Sequence, residues 1–98
     1  MARKRQFSSG DIAHRAEAGR YLITADEFLR AAVDSFAQNK RKQVGLMIDT
    51  TYSFLGRAKA NIESIDGSRE DLNNTYHQIS QATIELDQAL GEGGGNNG

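Results

Sequence analysis

Apolar positions in the second half of the chain repeat with a helical period. Val44, Ile48, Thr51, Leu55, Ala58, Ile62 and Ile65 follow one another at alternating steps of four and three. Beyond Asp66-Gly67, the residues Leu72, Tyr76, Ile79, Thr83, Leu86 and Leu90 resume the same steps. This spacing keeps one face of an α-helix apolar and lets two helices pack along a shared seam. It predicts helices near 41–65 and 68–90, folded into an antiparallel hairpin by the turn Asp66-Gly67-Ser68. Ser68 with Asp71 marks the start of the last helix. Gly91 marks its end as the C′ residue. Met47 and Phe54 widen the apolar arc of the 41–65 helix, which implies neighbours on two sides. Gly45 and Gly56, eleven apart, share a face. They read either as a place where another backbone comes close or as tolerated surface positions.

In the first half the pattern shifts partway. Ile12, Ala16, Gly19 and Ile23 make one stripe. Ala25, Leu29, Ala32, Val33 and Phe36 make another, roughly 100° further round the helix. Two start signals accompany the two stripes. Ser8 can cap, with Asp11 at N3 and Phe7 stapling onto Ile12; Thr24 and Glu27 form a capping box between Ile23 and Phe28. The reading is a short helix near 8–19, a bend, and a medium helix near 24–38, with a single bent helix as the alternative.

Period-two alternation is missing and proline is absent. The expected fold class is therefore all-α: a small bundle with a short N-terminal helix, a medium helix and a long antiparallel helical hairpin. Along the chain this divides into a flexible basic arm at 1–7, one helical domain at 8–90 and a disordered Gly/Asn-rich tail at 91–98. A chain of 98 residues builds only a thin core. Tyr21, Phe28, Met47, Phe54 and Tyr76 are then candidates for a partner interface, and burial against a second copy predicts a homo-oligomer.

The formal net charge is −1, but it is unevenly spread. Residues 1–20 carry five basic and two acidic side chains, and residues 68–98 carry one basic and five acidic. Two compact clusters, Arg3-Lys4-Arg5 and Lys40-Arg41-Lys42, are candidates for binding phosphate, since such runs neutralise it. Apart from Phe7, no aromatic is interleaved with them to stack bases. The last helix is rich in neutral hydrogen-bonding groups, among them Asn73, Asn74, Gln78 and Gln81. A small anion bound there would find charge partners in Arg57, Lys59 or Arg69.

Chemistry has little to stand on. Cysteine is absent, which excludes thiol nucleophiles and thiolate metal sites. No serine lies in a Gly-x-Ser-x-Gly setting, and the glycine run has neither strand nor helix after it to cradle a phosphate. Asp11, His14 and Glu17 stand one helical turn apart. A two-metal bundle needs the Glu-x-x-His unit twice, however, and His77 has no carboxylate at helical spacing. No catalytic residue, cofactor or metal ligand is nominated. No apolar run reaches the ~20 residues of a membrane span, and no apolar stretch follows the basic N-terminus as in a secretory signal. A cytoplasmic protein without membrane contact is expected.

In length and hairpin pattern the chain resembles the WXG-type secretion substrates. It departs from them in having no tryptophan and in carrying Phe54-Leu55-Gly56 within a helix instead of at the turn. Its Ala-rich segment 13–38 is similar to HEPN-type helical domains, but the Arg followed four to six residues later by His of the nuclease kind is absent. Neither resemblance transfers a residue role. The expected function is a non-enzymatic protein-interaction module (adaptor, inhibitor or assembly subunit) acting as a homo-oligomeric bundle. The alternative is a binder of a phosphate-bearing ligand, either nucleic acid or a small nucleotide.

Overall fold

The computed structural model describes residues 9–97, which form three helices and, among the described residues, no strand. They are α1 (Ser9–Ala37), α2 (Arg41–Glu63) and α3 (Glu70–Asn97). The basic arm, with Phe7 and Ser8, lies outside the described residues. The all-α bundle stands. None of the helices is long and apolar enough to cross a membrane, as far as the described residues go.

α1 is one helix, as in the alternative reading of the sequence; the break between a short and a medium helix is not made. The Thr24 hydroxyl does not cap a helix start; it donates to the Arg20 carbonyl at 2.9 Å, an ordinary bond of a helix interior. Ala18, Leu22, Ala25, Leu29 and Ala32 are buried along a single stripe of four-three steps. That stripe extends the second expected set back towards the N-terminus. The large members of the first expected set face water instead: Ile12 is 57 % and Ile23 62 % exposed; Val33, of the second set, is also exposed.

All seven positions of the α2 seam are buried, from Val44 to Ile65. His14 Nδ1 donates to Asn61 Oδ1 at 2.9 Å, and the Tyr21 and Phe54 rings lie 6.1 Å apart. These two contacts set an antiparallel register in which Ala18, Ala25 and Ala32 fall level with Ala58, Thr51 and Val44. Small residues recurring every seven positions let the two helix axes approach closely. Leu22, Leu29, Ile48, Leu55 and Ile62 fill the space beside them, each contributing about 1.5–3 kcal/mol on full burial. The two wholly buried threonines are satisfied within their own helices: Thr51 donates to the Met47 carbonyl at 2.8 Å and Thr83 to that of Ile79 at 2.7 Å.

α3 lies against both other helices but less intimately. Only Ile79 and Thr83 of its seam are buried; Leu72, Tyr76, Leu86 and Leu90 stay half-covered. It begins at Glu70 instead of 68, because Arg15 takes the Ser68 carbonyl at 2.6 Å and the Arg69 carbonyl accepts the Asn73 N–H. It also continues through Gly91, whose φ is not positive, so the expected αL stop there is not made.

Both connections are specified by named groups. Asn39 has φ 62° and ends α1. Its N–H donates to the Phe36 carbonyl and that of Lys40 to the Ser35 carbonyl, the paired bonds of a Schellman cap. At the other end, Asp11 is 4 % exposed and accepts the Asp66 and Gly67 N–H groups at 3.0 and 2.9 Å. Arg69 closes the same turn by donating to the Glu63 and Ile62 carbonyls at 3.2 and 3.3 Å. The bundle measures 63 × 16 × 16 Å, with a radius of gyration of 16.5 Å. A globular chain of this length would have about 12.6 Å. The molecule is a rod, and its surface is correspondingly large.

Candidate interaction surface

The register that builds the α1–α2 core also aligns the positions that flank it. On α1 these are His14, Tyr21 and Phe28; on α2 they are Asn61, Phe54 and Met47, at the same seven-residue step. At one end of this ladder is the His14–Asn61 hydrogen bond, which requires a proton on Nδ1. In the middle, Phe54 sits between two aromatic rings. It stacks on Phe28 at 5.7 Å with planes 11° apart and meets Tyr21 at 6.1 Å and 33°. The exposed Arg57 guanidinium lies 5.4 Å from the Phe54 ring centre and 6.0 Å from that of Tyr21. At the other end, Met47 packs with Phe36 against Ala32, Val44 and Ile48.

Three half-buried rings under an exposed guanidinium form an amphipathic surface. Tyr21 and Phe54 pack against the core cluster of Leu22, Leu29 and Leu55, and Phe28 is held to it through its stacking on Phe54; all three rings remain partly exposed to solvent. A cation over a ring face is attracted by the ring quadrupole and held without a carboxylate partner. The nominated residues Tyr21, Phe28 and Phe54 are thus brought together, with Met47 one heptad along. Tyr76 is not part of the ladder: it is on α3, against the first core cluster, with His77 edge-on at 5.5 Å.

Of the two basic clusters, only Lys40-Arg41-Lys42 falls within the described residues. Arg3, Lys4 and Arg5 lie outside the described residues. Lys40 and Lys42 are exposed at the start of α2, whose first turn has no side-chain cap. Arg41 is half-buried and donates to the Leu90 carbonyl. These residues border an open cleft of about 590 Å³ with Leu46 and Met47 on its wall. Arg57 and Arg69 have structural partners, the ring faces and the α2 carbonyls respectively.

Asp11 and His14 do not behave as the helix-surface pair their spacing implies. Asp11 clasps the 66–67 turn and His14 turns to Asn61. Among the described residues, no three His, Asp or Glu side chains converge as metal ligands would. Two groups titrate away from their ordinary range. Desolvation, and then the nearby Asp87, push the Tyr52 phenol up; the hydrogen bond that Arg30 donates to Asp26, and then the charge of Asp26, raise Arg30. What sequence reasoning missed at this surface is the role of Arg57 and the His14–Asn61 bond. Both depend on a register between helices that are distant in sequence.

Comparison of the chain with family models, with curated proteins and with solved structures finds no match.

Proposed function

We propose that the chain is a non-enzymatic protein-interaction module, a homo-oligomeric helical rod that presents the Tyr21–Phe28–Phe54 surface to a partner protein. The observation that carries this reading is the stacked aromatic ladder capped by Arg57. Tyrosine, arginine and large aromatic residues dominate interface energetics, and rings already ordered by stacking lose little further entropy on binding. An adaptor, inhibitor or assembly subunit would use such a face.

The test replaces Phe28 with the photo-crosslinking analogue p-benzoylphenylalanine in cells that make the protein. A dominant protein adduct at position 28 is expected. It should vanish when Arg57→Glu is added, a surface change that leaves folding intact. Lys59, exposed elsewhere on α2, serves as the control position. Adducts of equal yield at positions 28 and 59, or adducts indifferent to Arg57→Glu, would overturn the reading.

The phosphate-bearing ligand remains a second reading, supported by the uncapped first turn of α2 beside the exposed Lys40 and Lys42. Binding of that kind would weaken steeply with added salt and fail in the Lys40→Gln/Lys42→Gln variant. Packing on the aromatic face would do neither.

A further inference from the structure

α1 carries a second heptad seam, and its large aliphatic members are left exposed among the described residues. Ile12, Ala16, Gly19 and Ile23 repeat at 4-3-4, and the same steps continue through Asp26, Arg30 and Val33. The aliphatic members are the exposed large hydrophobic residues of the helix: Ile12 57 %, Ile23 62 % and Val33 50 %. The space beside Gly19 is open. This seam forms one wall of a groove of about 590 Å³ between α1 and α3, and the opposite wall, Leu72, Thr75, Gln78 and Ile79, is uncharged. A groove of this kind accepts one more helix.

We infer that the helix is α1 of a second copy, packed antiparallel about a two-fold axis level with residue 28. The inference rests on the homo-oligomer reading above and says where the copies meet. The charges select the occupant and its register. Asp26 and Arg30 are the only charged members of the seam over this stretch, and they pair with each other at 2.8 Å within the isolated chain. In the antiparallel register, Asp26 lies opposite the partner's Arg30 and Arg30 opposite the partner's Asp26, so the seam is complementary to itself. Ile23 then meets the partner's Val33, and Gly19 the partner's Ala37, small against small. A slip of one heptad sets Asp26 against the partner's Ile23 and Arg30 against the partner's Gly19, which leaves charges facing apolar groups. Just outside the seam, the same register brings Arg20 near the partner's Asp34. Glu27, near its own copy at the axis, is left as a like-charge pair. Two α1 helices with their flanking α3 helices enclose a four-helix core, and both aromatic ladders stay free.

The absence of cysteine makes the register directly readable. Single variants Ile23→Cys and Val33→Cys, mixed and oxidised, should form the 23–33 disulfide dimer well ahead of either variant alone. Within one chain these positions are about 15 Å apart along the helix, too far to bridge. In parallel, sedimentation velocity compares wild type, Asp26→Arg, Arg30→Asp and the double exchange. All four should fold, as judged by thermal melts, because both side chains lie at the surface. Each single reversal should weaken dimerisation at least about tenfold, and the double exchange should restore it. Glu27→Gln should tighten the dimer. A wild-type oligomer that ignores the reversals and gives no 23–33 bridge would overturn this interface and leave homo-oligomerisation standing. A wild-type chain that stays monomeric at high micromolar concentration would overturn both.

Discussion

The α1–α2 pair and α3 are built from the same heptad pattern but are held in different ways. In the pair, small residues alternate with large ones on both helices. Ala18, Ala25, Ala32, Val44 and Ala58 are wholly shielded from water. On α3, Tyr76 and Thr83 occupy seam positions, and only Ile79 and Thr83 are buried. Heptad spacing therefore establishes that a helix has a packing face, but residue size along the seam decides how deeply that face is used. α3 compensates at its ends. Arg15 reaches Asp71 at 2.7 Å, Asp11 holds the turn before the helix, and Arg41 reaches the Leu90 carbonyl.

The sharpest way to break this comparison is to damage the two seams separately. Leu55 is 2 % exposed at the centre of the pair. Leu55→Asp removes its burial and places an unpaired charge there, a cost of several kcal/mol against the roughly 5–15 that stabilise a domain. Loss of the cooperative thermal transition is expected. The milder Leu55→Ala should cost about 2–5 kcal/mol. Leu86→Ala, on the half-covered α3 seam, should cost less than half as much. Equal losses in urea titrations of the two alanine variants would show that α3 is as tightly integrated as the pair.

The next effect in size concerns the clasp. Asp11→Ala leaves the Asp66 and Gly67 N–H groups without their acceptor; both bonds are part-buried, which puts the cost near the low end of about 1–3 kcal/mol for an orphaned donor. Asp11→Asn keeps one carbonyl oxygen and should recover part of that loss. Hydrogen exchange should speed up at 66–67 and along the first turns of α3, while the α1–α2 centre stays protected. Uniform acceleration across all three helices would mean that the clasp is part of one global unit instead of an attachment point for α3.

These contrasts explain what was legible in the sequence. The α2 seam was readable to the residue because it is written largely in Ile, Val and Leu, which stand out from their polar neighbours. The α1 seam was legible from Ala25 to Ala32, but its first turns were not, because Ala18 looks no different from the exposed Ala13 and Ala16. The conspicuous Ile12 and Ile23 drew the N-terminal half of the pattern onto the wrong face, away from Ala18 and Leu22, and favoured two helices over one. Thr24 and Glu27 have capping-box spacing, but a continuous packing face overrode that local signal. Tyr21, Phe28 and Phe54 could be nominated singly from residue type. Their assembly under Arg57 could not, because it needs the α1–α2 register, and neither could a bond from Asp11 to a turn 55 residues away.

The smallest effect tests the α2–α3 contact directly. Tyr52 lies on α2 against both core clusters, and Leu86 of α3 lies against the same two clusters. Its phenol is pushed above its ordinary 10.0, first by desolvation and then by the charge of Asp87 on α3. The folded chain therefore holds this proton more tightly than the unfolded chain does. The resulting stability is fully present below pH 10 and is lost as the pH rises through the folded value above it. Tyr52→Phe has no proton to lose, so its melting temperature should fall less between pH 9 and about 11 than that of wild type. Asp87→Asn should reduce the alkaline fall only in part, since desolvation is the larger cause. Lysines that titrate in the same range are common to all three proteins and cancel in the difference. If Tyr52→Phe and wild type fall in parallel, the phenol is solvated, and α3 covers this part of α2 less closely than the raised phenol implies.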